Sequence, residues 1–239
     1  MEQKKRKLPY GMTREQERAA SRHFGQHVSN PKAAVALGFS LLCCASPMLL
    51  GLRLWPAIPP VVQTGLISTE GTDDSMSRAV LVFGVPGLFC LLDFICHAQL
   101  WLNQKAERIP PMPVRLFGRW VLPVLSVLLC SFWLLRAAGE PVGLPFFLPC
   151  LLALLLLLTG VHFFDCPRGD RIGFPLRRIR YREDAWQKTH RAASVAWMSA
   201  GLLLLAVYFL TGRLPGWTAI VTILLLAAPL PASLYFTRK

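Results

Sequence analysis

The sequence is poor in acidic side chains and has no C-x-x-C motif. Thirteen Asp and Glu accompany 26 Lys and Arg, leaving a formal net charge of +13. None of the seven cysteines forms a C-x-x-C pair. Cys43, Cys44, Cys90, Cys96, Cys130 and Cys150 fall in apolar runs and Cys166 at a loop edge. That placement reads as small apolar side chains rather than a disulfide framework. A nucleophile elbow, a phosphate-binding loop and a Ser-His-Asp order are all missing, so no convergent catalytic set can be assembled and no enzyme activity is expected. No internal repeat of the kind transporters commonly carry is evident. A cleavable leader is not expected either. The first apolar run begins near Ala33, after a polar segment, and is long enough to span a bilayer.

What is abundant is apolar surface. Hydrophobic residues make up 54% of the chain and mean hydropathy is +0.44. They gather in six runs, approximately 33–55, 79–102, 117–138, 145–164, 192–210 and 217–235. Each crosses roughly 30 Å of hydrocarbon at about 1.5 Å per helical residue. Backbone groups in lipid need internal partners, and the runs show no dyad alternation, so they read as helices and not as barrel strands. The expected fold is all-α: a polytopic membrane bundle of six transmembrane helices. Pro47, Pro86, Pro123, Pro149 and Pro229 interrupt five of the runs, as tolerated kinks or as hinges.

Basic residues set the expected orientation. They crowd the segment 1–32, the connection after the second run, the segment 165–191 and the C-terminal end. The opposite side carries Arg53, Arg78, Arg136 and Arg213. Retention of Lys and Arg on the cytoplasmic side places both termini inside. Three regions follow: a basic cytoplasmic tail (1–32), two spans joined by an external loop at 56–78 (33–102), and four spans with a cytoplasmic loop at 165–191 (103–239). The tail has a short helical pattern after Thr13, with Phe24 and Val28 suited to lie on a membrane surface. The arginine-rich loop is read as lying near anionic headgroups. Nucleic acid is not an expected partner, because no reading module accompanies the charge.

Two sets of polar residues stand out against this apolar background. In "CLLDFICHAQLWLN", Asp93 lies inside the second run and His97 follows one turn later on the same face. A lipid-facing carboxylate is costly, so Asp93 is expected to face the bundle interior, with His97 as the closest candidate partner. A structural polar pair, a proton-linked or ligand-binding role, and a metal site with Cys96 all fit that pattern. His162, Asp165 and Cys166, with His190 across the loop, carry metal-ligand residue types too, but interfacial ion pairing explains the charged ones equally well. No metal and no cofactor is expected.

The second set lies in "RIGFPLRRIRYREDAWQKTHRAAS". Asp184 is a candidate helix N-cap with Gln187 reaching back, and the helix would run through Trp186 and His190 into the fifth span. Trp186 reads either as an anchor at headgroup level or as part of a cap, with Thr189 and His190, over the bundle. Gly173, Trp186, Thr189, His190 and Arg191 resemble the C-terminal signature of the SdpI family of membrane immunity proteins. The external stretch "WPAIPPVVQTGLISTEGTDDSMSR" resembles a degenerate form of the uncharacterised domain that often precedes it, through Pro56, Ile58, Pro59, Gly71, Asp74, Ser77 and Arg78. Two departures mark that loop: Val61 stands near the place of its histidine, and Arg78 replaces its lysine.

The family resemblance implies immunity of a producing bacterium against a secreted peptide toxin, or sensing of it, in the plasma membrane. A cytoplasmic regulator would be the partner if the 165–191 loop signals. A small secondary transporter using Asp93 and His97 is the competing expectation.

Overall fold

Long apolar runs flanked by polar segments satisfy their own backbone groups only as helices. In the computed structural model six helices are long and apolar enough to cross a membrane: Ala33–Leu54, Val80–Leu102, Gly118–Ala137, Leu144–Phe163, Asp184–Thr211 and Gly216–Thr237. The structure describes residues 30–63, 75–105, 112–164, 166, 179 and 182–238. The tail before Asn30, Gly71 and Asp74 of the external loop, and Asp165 and Gly173 of the basic loop lie outside the described residues. An even number of spans returns the chain to the side on which it began.

The prolines act unequally. The first span breaks between Asn30–Ala45 and Pro47–Leu54, where the Ser46 hydroxyl donates to the Cys43 carbonyl at 2.8 Å. The sixth breaks between Gly216–Leu226 and Pro229–Arg238. A π-helical turn at Val80–Gly84 precedes Pro86, whose missing N–H disturbs the ladder on that side, whereas Pro123 lies within the continuous helix Met112–Leu125 and a second π-helical turn follows at Ser126–Cys130. Pro149 does not interrupt its span: Leu144–Phe163 is continuous around it. Two short antiparallel strands, β1 (Val61–Gln63) and β2 (Ser75–Ser77), join the first two spans, with Val62 opposite Met76.

The fourth and fifth spans form the most extensive helix pair. They approach through small residues, the usual solution when lipid is as apolar as the side chains. A Cβ on Gly201 would lie 2.6 Å from the Ala153 carbonyl oxygen, and one on Gly160 would lie 3.0 Å from that of Ser194. Leu50, Val82, Leu134, Leu157, Leu205 and Phe209 fill the core between spans. Leu88, Leu91, Leu148, Leu155, Ile220 and Ile223 point outward, giving the bundle an apolar girdle facing lipid.

Helix C-termini end in carbonyls without intrahelical partners, and cations favour that end of the helix dipole. Three arginines occupy these positions. Arg53 Nη1 donates to the Tyr208 carbonyl at the end of the fifth span (3.3 Å). Arg78 Nη1 donates to the Trp55 and Ile58 carbonyls beyond the first (2.9 and 3.1 Å). Arg182 Nη1 donates to the Thr237 carbonyl of the last (2.7 Å). Gly212, at φ 74°, ends the fifth span in the left-handed conformation that suits glycine, with the Arg53 guanidinium beside it.

Candidate functional site

The fifth helix starts at Glu183, after Arg182 in extended conformation, and the Trp186 amide donates to the Arg182 carbonyl at 2.9 Å. Asp184 is therefore inside the first turn and exposed, and the expected capping box does not form. A carboxylate there still favours the positive end of the helix dipole. Gln187 instead accepts from Arg191 at 3.4 Å on the exposed side.

The opposite side of this turn is closed. Trp186 is 2% exposed, whereas Thr189 and His190 are fully buried. The Trp186 and His190 rings stack with centroids 4.1 Å apart, the consequence of a four-residue separation along a helix. Trp186 Nε1 donates to the Cys166 carbonyl at 2.9 Å, tying the end of the fourth span to the start of the fifth. His190 Nδ1 lies 2.9 Å from the Trp186 carbonyl, so in the neutral ring Nδ1 carries the proton. Phe163 meets His190 edge-on at 6.1 Å, and Cys166, Ile179, Ala185 and Phe236 pack around Trp186. Such burial excludes the headgroup-level anchor: this tryptophan is a packed roof over the bundle end. Thr189 Oγ1 has no hydrogen-bond partner among the described residues.

At the other end of the bundle, Arg78 organises the described part of the external loop. Its guanidinium lies 4.1 Å above the Trp55 ring while donating to the Trp55 and Ile58 carbonyls. A lysine could supply the charge and N–H donors from one nitrogen, but not the planar face that lies on Trp55. Ile58 is buried beneath, whereas Pro56 and Pro59 are exposed. The Ser77 hydroxyl accepts from the Val80 amide at 3.3 Å, at the entry to the second span. Val61, near the place of the loop histidine, is on the exposed side of β1.

Within the membrane region Asp93 is fully buried and faces the bundle. Its nearest partner is a residue that sequence reasoning missed. Ser40, on the first span, donates to Asp93 Oδ2 at 2.6 Å, while His97 Nε2 lies 3.9 Å from Oδ1. The Ser40 hydroxyl also lies 3.3 Å from His97 Nε2, so one serine sits between the carboxyl and the imidazole. A serine in an apolar run was the only signal of this contact, and nothing in its spacing pointed 53 residues onward. Among the described residues no three His, Cys, Asp or Glu side chains converge as a metal-binding set. Cys43, Cys44, Cys90, Cys96, Cys130 and Cys150 form no disulfide among the described residues.

Residues 166–233, under a third of the chain, match the model of the SdpI/YfhL protein family. The match contains the Trp186–His190 cap and stops well short of the external loop. No curated protein and no solved structure matches the chain.

Proposed function

From this premise, a multi-pass membrane protein of SdpI type, we propose that the chain confers immunity against, or senses, a secreted peptide toxin at a bacterial plasma membrane. The observation that carries the reading is the coincidence of the SdpI/YfhL match with the buried Trp186–Thr189–His190 cap. Three polar or amphipathic side chains withdrawn from water fix the start of the fifth span, and such a fixed helix start can serve as the base for contact with a cytoplasmic regulator. The arginines beside it suit anionic headgroups, which adds an attraction of roughly 1 kcal/mol per cation near the surface. The opposite end of the bundle, with Arg78 clamping the external loop onto Trp55, would meet the toxin from outside. In this orientation both termini are cytoplasmic.

The test is protection. A bacterium sensitive to a secreted membrane-active peptide, expressing the full chain, should survive doses that kill the vector control. Equal killing across a panel of such peptides, at verified membrane abundance, would remove the immunity reading.

A further inference from the structure

Asp93 presents two carboxyl oxygens to the bundle interior, but the structure supplies a hydrogen-bond donor to only one. Oδ2 receives the Ser40 hydroxyl at 2.6 Å, whereas Oδ1 is buried with no hydrogen-bond partner among the described residues. The His97 ring nitrogen stands off Oδ1 by 3.9 Å, too far for a hydrogen bond. Surrounding groups offer no compensation close by. Cys43 and Cys44 approach from the first span and Cys90 from the second, with Cys130 of the third span behind them. Arg119, at the start of the third span, lies close enough to His97 to act on it electrostatically. An ionised carboxylate buried with one donor is costly in a membrane. Protonation on Oδ1 removes that cost, because a neutral acid needs no counter-charge.

We propose that Ser40, Asp93 and His97 form an intramembrane proton-binding site, occupied by one exchangeable proton on the Oδ1 side of Asp93. The ligand is the proton itself, taken from and returned to water, with no other bond made or broken. Release leaves an ionised Asp93, which then needs a second donor, and His97 closing the 3.9 Å gap supplies it. Because Ser40 belongs to the first span and the other two to the second, occupancy sets how tightly these spans hold together. The site is independent of the cap and of any toxin, so it stands or falls apart from the immunity reading.

Infrared difference spectroscopy on the full chain in lipid nanodiscs tests this directly. Exposed carboxyls titrate near pH 4, so a carboxylic acid band lost reversibly as the pH is raised above about 5.5 arises from a buried acid. The wild type should show that loss with a matching carboxylate gain, and Asp93→Asn should lack both. Ser40→Ala, which keeps the acid but removes its donor, should retain the band at a displaced frequency. His97→Gln should move the pH at which the band disappears. An absent band in the wild type, or one unchanged in Asp93→Asn, overturns the proposal. If Asp93→Asn does not fold, an unshifted band in Ser40→Ala overturns it equally.

Discussion

Replacing Gly201 by alanine tests the packing that holds the fourth and fifth spans together. The added Cβ would lie 2.6 Å from the Ala153 carbonyl oxygen, 2.8 Å from Leu157 Cγ and 3.2 Å from the Leu157 amide nitrogen. Two of those atoms are backbone within a continuous helix, so relief requires the fourth and fifth spans to move apart. Overpacking of this kind costs about 1–3 kcal/mol. Gly87→Ala is the matched control, since a Cβ there meets nothing within 4 Å, and a change away from such contacts stays within roughly 0.5 kcal/mol. At about 2–4 °C per kcal/mol for a chain of this size, Gly201→Ala should melt several degrees below wild type. Thermal unfolding in one detergent, followed by loss of the monodisperse chromatographic peak, reads the difference. Equal melting of Gly201→Ala and Gly87→Ala would refute the close-approach argument.

Three further outcomes follow from particular contacts. Trp186→Phe retains the stack on His190 but strands the buried Cys166 carbonyl, at a cost of about 1–3 kcal/mol; Trp186→Ala also leaves a cavity, about 3–5 kcal/mol in all, and the two melting temperatures should fall in that order. Arg78→Lys should lose part of the loop's stability and Arg78→Ala more, measured as faster proteolysis within 56–78, because lysine keeps the charge and its N–H donors but not the planar guanidinium lying on Trp55. In intact cells a cysteine introduced at residue 70 should react with an impermeant maleimide and one at residue 178 should not, and the reverse pattern would invert the orientation.

The spans were legible because lipid imposes one demand, internal satisfaction of the backbone, and the apolar runs meet it only as helices. The expected run 79–102 became Val80–Leu102, and the helix foreseen through Trp186 and His190 into the fifth span runs from Glu183 to Thr211. Its first residue was misplaced because the extended backbone of Arg182, with no side-chain cap, ends the loop two positions before Asp184. Residues close in sequence could be placed on a shared face, as with Trp186 and His190. Contacts between distant spans could not. Ser40 with Asp93, Arg53 with Tyr208 and Trp186 with Cys166 each depend on which helices neighbour one another, a property that hydropathy does not encode. Burial of Trp186 was open for the same reason: an amphipathic ring beside Lys188 and Arg191 fits a headgroup anchor until the chain end bearing Phe236 packs over it.

The most direct measurement of the central claim is protection by His190→Ala. The substitution removes the Trp186 stack and the Nδ1 contact without adding bulk, and Lys188→Gln, on the exposed side of the same turn, serves as its control. Both variants are compared with wild type at matched membrane abundance, under the peptide dose that separates wild type from vector. The account predicts that Lys188→Gln protects like wild type while His190→Ala dies like the vector control. Full protection by His190→Ala would contradict it and reduce the cap to packing at the end of a bundle.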